Sequence, residues 1–241
     1  SVELNHKRAY DYLQFGQYDF NRETFFKNIY SLDPGSYATF KLFEKDVFDI
    51  KKWWNPCIKE TKISYLDSVE LIRQKFLTSI TRNLRSDVPI GAALSGGIDS
   101  SAIVCGIRYL EPNREINTFS YIDQNGKKSE ERWIDIINDF TNSRPNKIFF
   151  SNDDLTKDFD DLIKTQNEPF GGPSIYAQYR IYKSISEKNI KVSLDGQGAD
   201  EIFGGYDGFP GYRMHSLIDK YEYLKTYIFL KNWPTYTKKS K

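Results

Sequence analysis

Cysteine is scarce in this sequence, and long apolar runs are missing from it. The two cysteines among the 241 residues, Cys57 and Cys105, lie far apart and do not form a metal-spaced pair. This pattern excludes a disulfide scaffold and fits a reducing cytoplasm. No apolar run approaches the roughly 18 residues that a membrane span needs, and the polar N-terminus has no signal-peptide pattern. We therefore expect a cytoplasmic protein without a membrane partner.

An excess of charge of one sign is also missing. The chain carries 34 Lys and Arg residues against 33 Asp and Glu residues, a formal net charge of +1. Because this balance gives no strongly basic chain, it does not favour nucleic acid as a partner. Aromatic residues are abundant, with 17 Tyr, 17 Phe and 4 Trp, but no basic stripe accompanies them. We assign them to the core and its edges rather than to nucleic-acid stacking.

Two regions of the chain differ in pattern. Residues 1–60 carry short segments: a predicted helix over 8–15, a turn at Asp33-Pro34-Gly35, and a hairpin with strands over 36–42 and 47–52. Residues 61–241 alternate helices with strands, which favours an α/β fold with a doubly wound, mostly parallel sheet and helices on both faces. We therefore divide the chain into a small N-terminal region, 1–60, and a main α/β domain, 61–241.

Hydrophobic periodicity places the elements of the α/β domain. Apolar residues three or four positions apart predict an amphipathic helix from Val69 to Leu84. The same spacing predicts two further helices, and Pro173 suits the first turn of a fourth that runs to Lys188. The predicted strands cover 88–94, 116–122, 147–150 and 190–194. The two middle helices are predicted to bury Trp133, Ile134, Ile137 and Phe140 in one, and Leu155, Phe159, Leu162 and Ile163 in the other.

A Ser- and Gly-rich loop follows the first of these strands. It reads Ser95-Gly96-Gly97-Ile98-Asp99-Ser100-Ser101 and leads into an apolar helix. Glycines let the backbone approach an anion, and helix N-terminal N–H groups favour negative charge, so the pattern is typical of a phosphate site. Asp99 would repel phosphate unless a divalent cation lay between them, which indicates Mg²⁺. The loop lacks the Gly-Lys-Ser/Thr of a Walker A motif, and its alternative interpretation is an ordinary strand-to-helix turn.

A second loop of the same kind follows the last predicted strand. It runs from Asp195 through Gly196, Gln197 and Asp200 to Tyr206. If the two strands are neighbours in the sheet, Asp99 and Asp200 can face one metal–pyrophosphate unit, because Mg²⁺ commonly takes one or two carboxylates together with phosphate oxygens. The alternative is a plain helix start in which Asp200 and the next acid favour the helix dipole.

Together the two loops resemble the signatures of the glutamine-dependent asparagine synthetase family, in its C-terminal synthetase (ATP pyrophosphatase) domain. The first signature reads Leu94 to Ser101 here, and the second reads Gly196 to Tyr206. Matches at Leu32 to Tyr37 and at Glu168-Pro169-Phe170 extend the resemblance over nearly residues 5–210. The resemblance implies a fold of the PP-loop (adenine nucleotide α-hydrolase) type, with residues 1–60 as the end of a glutaminase-type domain plus a linker.

The resemblance also implies a ligase that uses ATP, Mg²⁺ and small-molecule substrates. In the family's reaction an aspartate-type carboxylate attacks the α-phosphate of ATP, giving an acyl-adenylate and pyrophosphate, and ammonia from glutamine then displaces AMP. A homodimer is left open. The implied phosphate ligands are Ser95, Gly96, Gly97, Asp99, Ser100 and Ser101; Asp99 and Asp200 hold Mg²⁺; Leu94, Tyr121, Asp195 and Gly196 complete the ATP site; and the catalytic set is Asp99, Asp200 and Gln197.

This sequence departs from the family in three places. Gln197 stands where amide-forming members often carry a Glu that could act as a base, which Gln cannot do. The N-terminal catalytic cysteine of the glutaminase half is absent, and Cys57 lies in the linker, where we interpret it as a packed or idle thiol. The chain also ends soon after the second loop, without the family's later segment and its substrate-site lysine. We therefore expect a truncated fragment that is inactive on its own.

Two other functions stay open at this point. β-Lactam synthetases and macrolactam-forming cyclases share these loops and the adenylation step but use another acid or nucleophile, and Gln197 leaves room for them. A nucleotide-binding or assembly domain could keep the ATP site without turnover. The two intact acid positions, Asp99 and Asp200, argue against such a decayed site.

Overall fold

Six strands and nine helices make up the part of the chain that the structure describes. The computed structural model describes residues 3–19, 21–43, 48–59, 61–123 and 130–236. The strands are β1 (Ser36–Phe40), β2 (Phe48–Lys52), β3 (Ile90–Ala93), β4 (Asn117–Tyr121), β5 (Arg144–Ile148) and β6 (Val192–Leu194). The helices are α1 (His6–Phe15), α2 (Tyr65–Asn83), α3 (Ile98–Leu110), α4 (Glu131–Thr141), α5 (Asn152–Gln166), α6 (Ser174–Glu187), α7 (Ala199–Phe203), α8 (Phe209–Asp219) and α9 (Tyr223–Tyr236).

The last four strands form one parallel sheet whose order is β5-β4-β3-β6. β3 pairs in parallel with β4 on one side and with β6 on the other, and β4 pairs in parallel with β5. The predicted parallel α/β sheet is therefore confirmed. Because β6 returns to lie beside β3, the loops that follow these two strands leave the same edge of the sheet as neighbours.

Helices cover both faces of this sheet, as the sequence predicts. On one face, α2, α3 and α4 pack against the strands through an apolar cluster that includes Ile80, Val104 and Ile134. On the opposite face, Ile185 of α6 joins a cluster with Phe119 of β4. Burial of these apolar side chains on two faces holds the central strands in place, because each buried aliphatic or aromatic residue contributes about 1.5–3 kcal/mol.

The core-facing side of α4 differs from the predicted one. Ile134 is buried as predicted, but Trp133 is 55% exposed and Phe140 is 76% exposed. The prediction was wrong for these two residues because a polar residue takes the next core-facing position. Asn138 lies four positions after Ile134 and is buried, and Thr118 of β4 donates a hydrogen bond to its Oδ1 at 2.6 Å.

The buried side of α5 also departs from the prediction. Leu162 is buried, but Leu155, Phe159 and Ile163 are exposed, so the apolar stripe predicted there was mostly wrong. The other buried residue of this helix is Asp158, four positions before Leu162. A pattern of apolar residues cannot reveal a carboxylate that faces inward, and the partners that stabilise Asp158 lie on a different helix.

The N-terminal region contributes α1 and a hairpin. β1 and β2 pair antiparallel, as predicted, while residues 44–47, which hold most of the predicted turn, lie outside the described residues. The Tyr12 hydroxyl of α1 donates a hydrogen bond to the Phe170 carbonyl oxygen at 2.8 Å, so this region contacts the α/β domain. The domain boundary at residue 61 stays a prediction.

Two helices, α8 and α9, follow the second loop, where the sequence analysis places no element. They pack against each other at the end of the described chain. Within the described ranges, no helix combines the length and the apolar character that a membrane crossing requires.

Candidate active site

The first loop, residues 95–101, connects β3 to α3 and is held in shape by its own hydroxyl groups. The Ser95 N–H donates to Ser100 Oγ at 3.1 Å, and the two serine oxygens lie 3.0 Å apart. The Gly97 N–H donates to Ser95 Oγ at 3.2 Å. Ser100 is buried, so its hydroxyl serves the loop itself. The result is a fixed turn in front of the α3 N-terminus, where N–H groups without helical partners favour an anion.

The two glycines of this loop differ in backbone conformation and in the space available for a side chain. Gly96 has a φ of +85°, a region that side chains disfavour, and a Cβ there would lie 3.0 Å from the Glu130 carbonyl oxygen. Gly96 is therefore required by the fold. Gly97 has an ordinary φ of −70°, and a Cβ there would meet only Ser95 Oγ, at 3.3 Å. The open side of Gly97 is the one that a ligand can approach.

The second loop, residues 195–206, follows β6 and lies directly against the first. A Cβ at Gly196 would lie 3.1 Å from the Ser100 nitrogen and 3.2 Å from Asp99 Cβ. The absence of a side chain at Gly196 thus lets the two loops touch. The loop then enters the short helix α7, whose first turn contains Asp200.

Two acids of the second loop are held by hydrogen bonds within the protein. Asp195 accepts the Gln197 N–H at 3.2 Å and the Tyr182 hydroxyl of α6 at 3.1 Å. Burial and the negative charge of Asp195 raise the pKa of Tyr182, so this hydroxyl stays a donor. Glu201 accepts the Tyr206 hydroxyl at 2.7 Å, which lowers the pKa of Glu201. These contacts fix the loop on both sides of Asp200.

Asp99 and Asp200 line one cavity of about 760 Å³ at the carboxyl edge of the sheet. Across the described residues, no side-chain hydrogen bond or ion pair engages either carboxylate, so both are available to a cation. Ten of the twelve predicted site residues line the cavity: Leu94, Ser95, Gly97, Asp99, Ser100, Tyr121, Asp195, Gly196, Gln197 and Asp200. The other two, Gly96 and Ser101, lie outside its wall.

Helix α6 supplies a second wall of the cavity, which the sequence patterns did not predict. Ser174, Ala177, Gln178 and Ile181 recur at intervals of three or four residues and lie on one face of that helix. This spacing, directly after Pro173 and one strand before the second loop, is the signal that could have revealed them. Tyr18 of the N-terminal region also lines the cavity, and no local pattern marks it.

The charged side chains in the described wall are all acidic: Asp99, Glu130, Asp195 and Asp200. The phosphates of ATP would be repelled there unless a divalent cation lay between phosphate and carboxylate. Carboxylate oxygens are hard ligands of the kind that Mg²⁺ prefers. No group of three or more potential metal ligands occurs in the described ranges. The free pair Asp99 and Asp200 fits Mg²⁺, which takes one or two carboxylates and completes its shell with water and phosphate oxygens.

A cluster of charged side chains surrounds the buried Asp158 on the side of α6 away from the cavity-lining residues. Asp158 of α5 accepts hydrogen bonds from three residues of α6: the Tyr176 hydroxyl at 2.9 Å, Arg180 Nη1 at 2.7 Å and Lys183 Nζ at 2.7 Å. Burial alone would raise the pKa of Asp158, but the three donors outweigh it and lower that pKa to about 2. Burial and the hydrogen bond to Asp158 raise the pKa of Tyr176 to about 12. The cluster is therefore ionic across the whole neutral range.

The pH dependence of stability should report this cluster. Because the pKa of Asp158 is lower in the folded protein than in the unfolded chain, its contribution is fully present above about pH 4 and is lost as the pH falls towards 2. We expect the free energy of unfolding of the wild type to exceed that of Asp158→Asn by a pH-dependent part of about 2 kcal/mol. Urea unfolding of both proteins between pH 2 and 6 measures this difference. A difference that stays constant over that range would contradict the assignment.

The comparisons with known proteins point to one family. A family profile described as asparagine synthase matches residues 71–237. A putative glutamine-hydrolysing asparagine synthetase 2 of Methanocaldococcus jannaschii is 33% identical over 193 residues, which cover 78% of this chain and 36% of that protein. Asparagine synthetase 3 of Bacillus subtilis is 30% identical over 197 residues, covering 76% of this chain and 31% of that protein. The chain thus spans about a third of the length of these curated relatives.

Among solved structures, an NH3-dependent NAD synthetase from Campylobacter jejuni in complex with the nitrate ion is similar over part of the fold. The match covers 57% of this chain and 60% of that one, with 22% sequence identity and a TM-score of 0.38.

Proposed function

The chain belongs to the asparagine synthase family, and we propose that its site activates a carboxylate with ATP to form an amide. The observation that carries this proposal is the contact between the two loops. It brings Asp99 and Asp200 to one cavity beside the N-terminus of α3. This arrangement suits a reaction in which negative charge grows on a leaving pyrophosphate.

In this proposal each residue has a defined task. The Gly97 backbone and the α3 N-terminus bind the leaving phosphates, and Ser95 and Ser100 keep the loop in the shape that this binding needs. Asp99 and Asp200 would hold Mg²⁺, which supplies charge neutralisation on the phosphates when bound. The acid substrate attacks the α-phosphate, so an acyl-adenylate and pyrophosphate form, and a nitrogen nucleophile then releases AMP.

Gln197 restricts what the second step can use. Its backbone N–H is held by Asp195, and it lines the cavity beside Asp200. A neutral amide cannot remove a proton from the incoming amine, so Gln197 can orient substrates but not act as a base. We propose asparagine formation from aspartate with glutamine-derived ammonia as the leading reaction. Because of Gln197, a β-lactam or macrolactam synthetase activity is the second candidate.

The experiment is an acid-dependent ATP–pyrophosphate exchange assay on the full-length protein. Exchange that depends on aspartate, followed by asparagine formation with glutamine or ammonium, supports the leading reaction. Exchange with other acids and not with aspartate supports the second candidate. Nucleotide binding without any exchange favours an assembly domain without turnover. An Asp200→Asn preparation, processed in parallel, controls for contaminating ligases. A cytoplasmic location and a homodimer remain predictions.

A further inference from the structure

Helix α6 carries two different stripes on opposite sides. Tyr176, Arg180 and Lys183 follow one another at intervals of four and three residues, and all three bind Asp158. The stripe on the other side, which begins at Ser174 and ends at Ile181, lines the cavity. At about 100° per residue the two stripes lie roughly opposite each other on the helix. A single carboxylate, that of Asp158 on α5, therefore binds two successive turns of α6, the helix that lines the cavity.

A row of aromatic rings continues from this cluster to the cavity. Tyr176 is 3% exposed, and its ring meets that of Phe150 edge to face, with the centroids 4.6 Å apart. Phe150 in turn stacks on Tyr121, with the centroids 4.4 Å apart and the planes 14° apart. Tyr121 lines the cavity at the end of β4. Tyr176 is thus connected to the Tyr121 ring through direct contacts with Phe150.

The wall that Asp158 supports consists of α6 residues and belongs to neither phosphate loop. If the first loop binds the phosphates, the nucleoside occupies the remaining space between Tyr121 and α6. The side chains there include Ala177 and Ile181, which suit the apolar faces of a base. The hydrogen bonds of Asp158 go to α6 and not to the loops, which contact each other at Ser100 and Gly196. The second loop is linked to α6 at a different residue, through the hydrogen bond from Tyr182 to Asp195.

We propose that Asp158 is a positioning residue for the nucleoside end of the ATP site. It acts through Tyr176, Phe150 and Tyr121 and through the placement of α6, without touching the nucleotide. This proposal rests on the proposed function, since it requires that the cavity bind ATP. Replacement of Asp158 leaves Arg180 and Lys183 without their buried counter-charge, so the Tyr176 side of α6 and the aromatic row shift. The first loop stays in place, because its own serine hydroxyls hold it.

The test compares ligands that fill different ends of the cavity. Binding of ATP, AMP and pyrophosphate, each with Mg²⁺, is measured by calorimetry on the full-length protein for the wild type and Asp158→Asn. We expect Asp158→Asn to weaken ATP and AMP about tenfold and pyrophosphate by less than twofold. Asp161→Asn is the matched control, because Asp161 also lies on α5 and accepts a hydroxyl of α6, from Tyr179, but is exposed. It should change all three affinities by less than twofold.

Two results would overturn the proposal. Unchanged ATP affinity in Asp158→Asn would show that the cluster does not reach the site, and an equal loss for ATP and pyrophosphate would show a merely structural role. If Asp158→Asn does not fold, Tyr176→Phe takes its place, since it keeps the ring and removes only the hydroxyl. It should weaken ATP about threefold and leave pyrophosphate unchanged, and an unchanged ATP-to-pyrophosphate ratio would again contradict the proposal. A wild type that binds neither ligand would overturn the proposed function as well.

Discussion

Asp99→Asn should slow pyrophosphate release by the full-length protein at least about a hundredfold. Asn keeps the size of the side chain and removes its charge, so the substitution leaves the loop packing intact. Asp99 lies at the α3 N-terminus with a carboxylate that no described side chain engages, and its charge is therefore available to a cation on the phosphates. The measurement is a coupled pyrophosphate assay at saturating ATP, acid substrate and Mg²⁺.

Asp139→Asn provides the control for this substitution. Asp139 is an exposed residue of α4 and does not line the cavity, so the same chemical change there should leave the rate within about twofold of the wild type. Titration with Mg²⁺ adds a second readout, since a lost metal ligand raises the Mg²⁺ concentration needed for half-maximal rate. Near wild-type pyrophosphate release by Asp99→Asn would remove Asp99 from the metal site.

The parts of the site that local sequence dictates could be predicted. The run from Ser95 to Ser101 contains the glycine needed for a positive φ and the serine hydroxyls that hydrogen-bond across the turn, and it leads into the apolar part of α3. Each of these signals acts within a few residues. The same is true of the second loop, where Gly196 and Asp200 stand at the end of a short apolar strand.

The parts that depend on contacts distant in sequence could not be predicted. The pairing of β6 with β3 brings the two loops together, but strand order is set by which surfaces pack and not by the strand sequences themselves. Asp158 stands among other charged residues of α5, and nothing in the local sequence marks it as buried. Its burial is explained by the three hydrogen-bond donors of α6. Trp133 and Phe140 were wrongly predicted to be buried, because the sequence does not show that a polar residue of α4 faces the core. Asn138 is buried there and accepts a hydrogen bond from Thr118.

Gly196→Val should abolish measurable ATP binding while the domain stays folded. The first added carbon would already lie 3.1 Å from the Ser100 nitrogen, and the two methyl groups of Val need more room in the same gap. The second loop must then move away from the first, so Asp200 no longer faces the cavity beside Asp99. Overpacking of this kind costs about 1–3 kcal/mol, which a domain can absorb, whereas a phosphate site does not tolerate a displaced metal ligand.

Gly211→Val distinguishes this effect from a general intolerance of the region. Gly211 lies in α8, after the same loop, and a Cβ there would meet nothing within 4 Å. Both variants are compared with the wild type by circular dichroism for the fold and by calorimetry for ATP with Mg²⁺. We expect all three to have the same helical content, and only Gly196→Val to lose ATP binding. Retained ATP affinity in Gly196→Val would mean that contact between the loops is not what assembles the site, and the pairing of Asp99 with Asp200 would need another explanation.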